Sequence, residues 1–466
     1  MNVAELTLLR ASSDTVPAGP TLPLGPGGPA LVQSLRLAMH PCETLEAWAR
    51  RWGDCFAVRL LGGRINVFCS HPDAVRDIHA GDPEVFYGGE AAADILAPLL
   101  GRRSLLVLDG ERHLRERKLM SPPFHGQRVH VYGRLVRDST RRVIAGWALG
   151  RPFPIHHEMQ AITLDVIVRA VFGVDDGPKL AELRRRLQHF LALVDGPAAA
   201  FLVFSFAQFE LGGLTPWGRY VRRARAIDDI LYAEMARRRS EGTAGRSDIL
   251  SLLLDARDEA GAPMSDLELR DEMFTLLMAG HETTATSLAW VFYHVLRHPD
   301  VLARLRDELH AVLGDGPMEP EHVGRLEYLD AVLKETQRLT PVIGMTGRAL
   351  RAPARIGGRE LPAGVVVCPA IYLVHRRPDL WPEPERFRPE RFLGVRPSPF
   401  HFFPFGGGVR RCLGAAFATY EMKVVLSEVL RRTELRIADG YRLRAVQRAI
   451  TSAPSGGVPV VMDARC

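Results

Sequence analysis

Cysteine is scarce and unpatterned in this chain of 466 residues. Cys42, Cys55, Cys69, Cys368, Cys412 and Cys466 form no CxxC pair and no regular spacing. That argues against a disulfide framework or a zinc ribbon and suits reduced thiols in a cytoplasmic compartment. Long apolar runs are missing too. The opening "MNVAELTLLR" is broken by Arg10 and builds neither a signal peptide nor a spanning helix. The most apolar stretch elsewhere, "PAAAFLVFSFAQF" from Pro197 to Phe209, is too short for a bilayer and reads as core or as a greasy mobile loop. The net charge of +6 comes without a basic run interleaved with aromatics. Nucleic acid is therefore not the expected partner, although the arginines suit an acidic partner somewhere on the surface. His281-Glu282 opens an HExxH pattern, but position 285 is Ala285, so a zinc protease lacks its second histidine.

What is present is a globular composition, 47% hydrophobic with moderate charge. The length predicts two or three domains, or one large body with lobes. Residues 1–30, rich in proline and glycine, read as a flexible leader, and residues 31–466 as one folded unit. Helical periodicity dominates. In "SDLELRDEMFTLLMAGHETTATSLAWVFYHVLRHP", Ser265 and Glu268 form a capping box and Pro299 is the stop. About 32 residues at about 1.5 Å each make a rod of roughly 48 Å that must run through the middle of the body. "GRALRAPARIGGRELPAGVVVCPAI" alternates in a manner suited to a small sheet. The fold class is mainly α with a minor β portion.

Three local patterns carry chemistry. In "FPFGGGVRRCLG", Cys412 follows three glycines and adjoins two arginines, an environment that favours a thiolate and hence a metal ligand or a nucleophile. On the long helix, Gly280, Thr283 and Ser287 share a face, with Ala279 one turn before Thr283. A mid-helix glycine costs about 1 kcal/mol, so either a flat or bulky group approaches there or a second helix packs closely. Glu282 adds an acid to a buried element, which needs a partner or a role. Glu335 and Arg338 stand at i and i+3, a pair that taken alone reads as surface decoration.

In combination the chain resembles the cytochrome P-450 family, the haem-thiolate monooxygenases, over essentially everything after the leader. F-x-x-G-x-R-x-C-x-G is met by Phe405, Gly408, Arg410, Cys412 and Gly414, and E-x-x-R by Glu335 and Arg338. A-G-x-E-T is met by Ala279, Gly280, Glu282 and Thr283, and "PERFRPERF" supplies Arg391. "ERHLRERK" gives His113 and Arg117, and "TGRAL" gives Arg348. The resemblance implies a large helical lobe and a small β-rich lobe around a buried haem b (iron protoporphyrin IX). It makes Cys412 the axial iron ligand, shielded by Phe405, and His113, Arg117, Arg348 and Arg410 the partners of the haem propionates. Gly414 starts a helix whose dipole favours a negative sulfur. Ala279 and Gly280 leave room on the opposite face, and Glu282 and Thr283 serve oxygen activation as catalytic residues. Glu335, Arg338 and Arg391 form a buried triad.

By family position the substrate pocket takes Ile95, Leu96, Leu99, Leu276, Met278, Val342, Ile343, Met345, Ile450 and Thr451. Nearly all are apolar, so the resemblance implies a lipophilic substrate such as a fatty acid, terpenoid or steroid, and Pro197–Phe209 becomes a lid over the entrance. No flavin or iron–sulfur domain is expected after Cys412. Electrons for O2 reduction are therefore expected from a ferredoxin or flavodoxin with an NAD(P)H-dependent reductase, docking on Arg112, Arg115, Arg117, Lys118, Arg410 and Arg411. No transmembrane anchor is expected. Peroxide-driven or rearranging relatives, and a haem-binding protein without turnover, are the alternatives; the Glu282–Thr283 pair argues for oxygen activation.

Overall fold

The computed structural model describes residues 22–466 apart from 125, 127, 174–177, 195–214 and 449. Residues 1–21 and the apolar stretch 197–209 lie outside the described residues. The folded body starts earlier than position 31. Ala57 donates its N–H to the Leu24 carbonyl at 3.2 Å, and a Cβ on Gly25 would fall 1.8 Å from the Ala57 oxygen. Gln33 Nε2 donates to the carbonyls of Pro26 and Gly28 at 3.0 and 3.1 Å. The part of the expected leader nearest the first helix is thus laid against the first strand.

A β-rich lobe gathers the N-terminal elements with a later segment. Helices α1 (Ala30–Met39) and α2 (Pro41–Trp52) precede the hairpin β1 (Cys55–Arg59) and β2 (Ile65–Cys69). After α3 (Pro72–His79), β3 (Phe86–Tyr87) leads into α4 (Gly88–Leu100) and α5 (Gly110–Met120). Strands β1, β2 and β3 join a five-stranded sheet in the order β1-β2-β8-β5-β3, with β5 (Arg348–Leu350) and β8 (Val366–Pro369) from far along the chain. β2 and β8 run parallel and the other pairs are antiparallel.

The helical lobe is built around two buried rods. α6 (Arg128–Ala145) and β4 (Pro152–Pro154) come before α7 (Ile155–Phe172), and α8 (Pro178–Val194), α9 (Pro216–Glu241) and α10 (Ile249–Asp255) follow. The central α11 (Asp266–Arg297) has the 32 residues expected. Its N-terminus closes as the sequence predicts: Ser265 Oγ accepts from the Glu268 N–H at 3.3 Å, and Glu268 Oε2 accepts from the Ser265 N–H at 2.7 Å. α11 packs along α7, both mostly buried. α12 (Pro299–Leu313) and α13 (Glu327–Leu339) continue the lobe, and α14 (Ile371–Val374) precedes the Cys412 loop. α15 (Ala415–Arg432) leaves that loop and runs into β9 (Thr433–Ile437), which pairs with β12 (Pro459–Arg465) in a three-stranded sheet with β4.

Candidate functional site

The Cys412 loop is shaped by close contact with the end of α3. Gly406 and Gly408 adopt φ of 67° and 63°, a region that costs an L side chain dearly. A Cβ on Gly407 would lie 2.1 Å from His79 Nδ1, and one on Gly408 would lie 2.1 Å from the His79 carbonyl oxygen. The glycines therefore seat the loop on α3, and a Cβ on Gly414 would meet only open space. The Cys412 N–H donates to the carbonyl of half-buried Phe405 at 2.9 Å. Cys412 keeps exposed surface although dense protein surrounds it, so that surface faces a concavity rather than bulk water.

The thiol itself differs from the sequence expectation. Burial pushes the Cys412 pKa up, against the Gly414 N–H that donates to the sulfur and the charges of Arg117 and Arg411. The neighbouring cations alone do not make a thiolate here. Coordination to a metal would supply the missing stabilisation, because a bound thiol is deprotonated outright.

Above the loop, cations crowd with few anions. Arg348 is buried on β5, its pKa pushed down to about 10 by burial and then by Arg410. His113 on α5 is held down to about 3 by burial and then by Arg410, Arg117 and Arg348. Arg410 ion-pairs with Asp109 and donates to the carbonyls of Leu108 and, at 3.0 Å, Leu105. Asp109 also accepts from the N–H groups of Gly89 and Glu90 at 2.8 and 2.6 Å. Of the three guanidinium groups, Arg410 pairs with Asp109, whereas Arg117 and Arg348 bond to backbone carbonyls and make no ion pair among the described residues, which leaves two unpaired positive charges beside a neutral imidazole. A group carrying two carboxylates, as haem does, fits that surplus. Nearby His79 is buried with both ring nitrogens lacking a partner.

On α11 an open stripe interrupts an otherwise buried helix. Ala279 is exposed, and Leu276, Gly280, Thr283 and Ser287 are half-buried along the same face. Thr283 Oγ1 donates to the Ala279 carbonyl at 2.7 Å, which leaves its lone pairs as acceptors. Gly280 also packs closely on the neighbouring helix: a Cβ there would lie 3.0 Å from Ile167 Cδ1 on α7.

Glu282 is buried and points to α7. Its carboxylate accepts from Gln160 Nε2 at 2.6 Å and Thr286 Oγ1 at 3.1 Å, and lies 3.4 Å from His156 Nε2. Burial opposes ionisation, but His156 and Gln160 outweigh it and hold the pKa at about 2. His156 and Thr286 also approach each other at 3.2 Å. Sequence reasoning missed His156, Gln160 and Asp109, because no local spacing links them to the residues they serve.

Glu335 and Arg338 are fully buried, not surface decoration. Arg338 Nε and Nη2 donate to the two Glu335 oxygens at 2.7 and 2.9 Å, and Arg391 Nε donates to Glu335 Oε1 at 3.2 Å. Of the duplicated PERF, the second supplies this arginine, while Arg386 turns its side chain to Glu383. Among the pocket residues, Leu96, Leu99, Leu276 and Met278 pack on the main core, and Met345 packs on the core of the β-rich lobe. Val342 and Ile343 are half-buried, Thr451 is buried, and Ile95 and Ile450 are exposed. The Ser452 N–H donates to the Val342 carbonyl at 2.8 Å, which brings the two stretches together.

The expected basic face is thinner than its six cations suggest. Arg115 pairs with Asp258 at 2.7 Å and with Glu116, and Lys118 pairs with Glu259 at 2.6 Å. Arg117 donates to the Arg411 carbonyl at 2.7 Å, and Arg410 is turned inward. Arg112 and Arg411 remain exposed. No helix among the described residues is long and apolar enough to cross a membrane.

Comparison with known proteins agrees with this geometry. The family model "Cytochrome P450" matches residues 22–455. A Mycobacterium tuberculosis protein provisionally named cytochrome P450 135B1 is 43% identical over 440 residues, covering 94% of this chain and 91% of its own. Another from the same organism, provisionally named cytochrome P450 138, is 36% identical and covers 96% of this chain and 98% of its own. The solved structure of a retinoic acid-bound cyanobacterial CYP120A1 superposes with a TM-score of 0.84 at 26% identity, over 96% of this chain and 100% of that one. The cytochrome P450DA heme domain shares the fold, with a TM-score of 0.79 at 24% identity, over 95% and 96% of the two chains. With the family model spanning nearly the whole body and relatives alike from end to end, the chain belongs to the cytochrome P450 family, the monooxygenases that bind haem b through a cysteine thiolate.

Proposed function

We propose that this enzyme inserts one oxygen atom of O2 into a lipophilic substrate of the fatty acid or terpenoid type, with Cys412 as the haem ligand and electrons from an external carrier. The observation that carries the reading is Cys412 itself, a sulfur open to a concavity, at the start of α15, beside a cation cluster with two charges to spare. His113, Arg117, Arg348 and Arg410 would hold the propionates by charge-assisted hydrogen bonds. When bound, haem supplies the oxygen chemistry; the chain supplies position, protons and exclusion of water. The Thr283 hydroxyl, anchored on Ala279, presents acceptors on the open stripe. Behind it, Glu282, His156 and Thr286 make a hydrogen-bonded set able to hold a proton on the α7 side.

Substrate class rests on the lining. Leu96, Leu99, Leu276, Met278, Val342, Ile343 and Met345 offer no charge, so shape and apolar burial would select the ligand. The retinoic acid bound to the structural neighbour is an apolar chain of terpenoid type, which supports the same class. A carbon monoxide difference spectrum of the reduced protein tests ligation. The thiolate signature is expected from the wild type and absent from Cys412→Ser; an imidazole-type spectrum in the wild type overturns the assignment. Spin-shift titration with retinoids, fatty acids and steroids then tests the class, and a response confined to steroids or to polar compounds overturns it.

A further inference from the structure

Outside the site built on Cys412, two cysteines face each other across the β1–β2 hairpin. The register pairs Cys55 with Cys69 directly. Ser70 donates its N–H to the Asp54 carbonyl at 2.8 Å, and Leu60 to the Arg64 carbonyl at 3.3 Å. Hydrogen-bonded and non-hydrogen-bonded pairs alternate in an antiparallel ladder, so the pair next to Asp54–Ser70 is of the non-hydrogen-bonded kind. The Ala57 N–H, turned outward to Leu24, agrees. At such a site the Cα atoms are about 4.5 Å apart and the side chains closest, within the span a disulfide bridges.

The two thiols are not equivalent. Cys69 is fully buried, whereas Cys55 is half-buried and lines a cleft of about 620 Å³ with Asp54, Arg76 and Arg359. The Cys69 thiol donates to the Val67 carbonyl at 3.8 Å, which leaves its sulfur beside that of Cys55. Interaction with Cys69, together with the Arg359 charge, holds Cys55 below the ordinary thiol range, against burial and Asp54, and the same interaction, with burial, raises Cys69. An accessible sulfur with a second, buried sulfur directly opposite it across the hairpin is the arrangement of an attacking and a resolving cysteine.

We propose that Cys55 and Cys69 form an oxidisable dithiol, in which hydrogen peroxide entering the cleft converts the pair to a cross-strand disulfide. The Cys55 thiolate attacks one peroxide oxygen; an S–O bond forms, the O–O bond breaks, and the departing hydroxide takes up a proton as water. Cys69 sulfur then attacks Cys55 sulfur; an S–S bond forms, the S–O bond breaks, and the hydroxide leaves as water with the Cys69 proton. The two sulfurs together lose two electrons, and both peroxide oxygens end as water. A thiol reductant reverses the change by exchange. This pair does not depend on the haem assignment, and neither step involves Cys412.

Peptide mapping of the full haem-loaded protein tests it. Trypsin places Cys55 in the peptide 52–59 and Cys69 in the peptide 65–76. After hydrogen peroxide, then alkylation and digestion without reductant, the two peptides are expected joined, lighter by two hydrogen atoms than their sum, and separated again by dithiothreitol. In Cys69→Ala the joined species is lost and Cys55 is expected to carry a dimedone adduct, the mark of a sulfenic acid. Recovery of both wild-type peptides fully alkylated after peroxide, or Cys55 joined to another cysteine, overturns the proposal. So does a Cys55 that stays unlabelled by dimedone in Cys69→Ala.

Discussion

Glu282 is ionised because of what holds it, not because of where it is. Burial alone would raise its pKa, yet Gln160 and His156 bring it down to about 2. A carboxyl whose folded pKa lies below its unfolded value stabilises the fold fully above the unfolded pKa, and that contribution is lost as pH falls through the folded one. For Glu282 the window runs from the ordinary carboxylate range down to about 2. The pH profile of turnover in the wild type should therefore carry no limb from this group above about pH 5. His156→Ala removes a lowering influence while burial stays, so the pKa rises. A shift of about one unit is expected, measured as the acid limb of kcat/KM moving upward while Glu282→Gln shows no such limb. The residues themselves were legible, since the A-G-x-E-T pattern isolates Glu282 and Thr283. Their partners were not: His156 and Gln160 lie more than 120 positions upstream on another helix. The surroundings of Cys412 were legible only in part. Adjacent arginines are visible in a sequence, and the burial that opposes them is not.

Elements carry their own tests. Gly280 lets α11 approach α7, and the atom that fills the space is the flexible end of Ile167. Gly280→Ala gains up to about 1 kcal/mol of helix propensity, set against a contact of 3.0 Å to that methyl. Ile167→Val shortens the side chain, so the alanine should stabilise more in the valine background than in the wild type. Urea unfolding of the four proteins in the cycle measures the coupling, expected at about 0.5 kcal/mol or more for residues in contact. A second contrast lies in the repeated PERF. Arg391 is almost fully buried against Glu335, so Arg391→Ala should cost about 3 kcal/mol. Arg386 sits at the surface on Glu383, and Arg386→Ala should stay within about 0.5 kcal/mol. Sequence periodicity and the capping box delivered α11 with both ends. The choice between the two PERF arginines, and the close contact of Gly280 with Ile167, needed the third dimension.

At the scale of the whole molecule, mainly α with a minor sheet was legible from composition, helical periodicity and one alternating stretch. The sheet order was not, because β1-β2-β8-β5-β3 joins strands some 300 residues apart and no local pattern encodes that. Charge shows the same limit. A sequence lists six cations near the Cys412 loop, whereas the fold neutralises or turns inward all but Arg112 and Arg411. If an acidic electron carrier docks on this face, its steering must rest on those two. Arg112→Glu with Arg411→Glu should slow reduction by an acidic ferredoxin about tenfold at low salt, the lower end of steering effects. Lys118→Glu, whose charge Glu259 already balances, should do much less. Stopped-flow reduction across a salt series checks this. The gap between the double variant and the wild type should close toward about 1 M salt, where the Debye length falls to about 3 Å. A gap that persists there means the two arginines act by contact rather than by field.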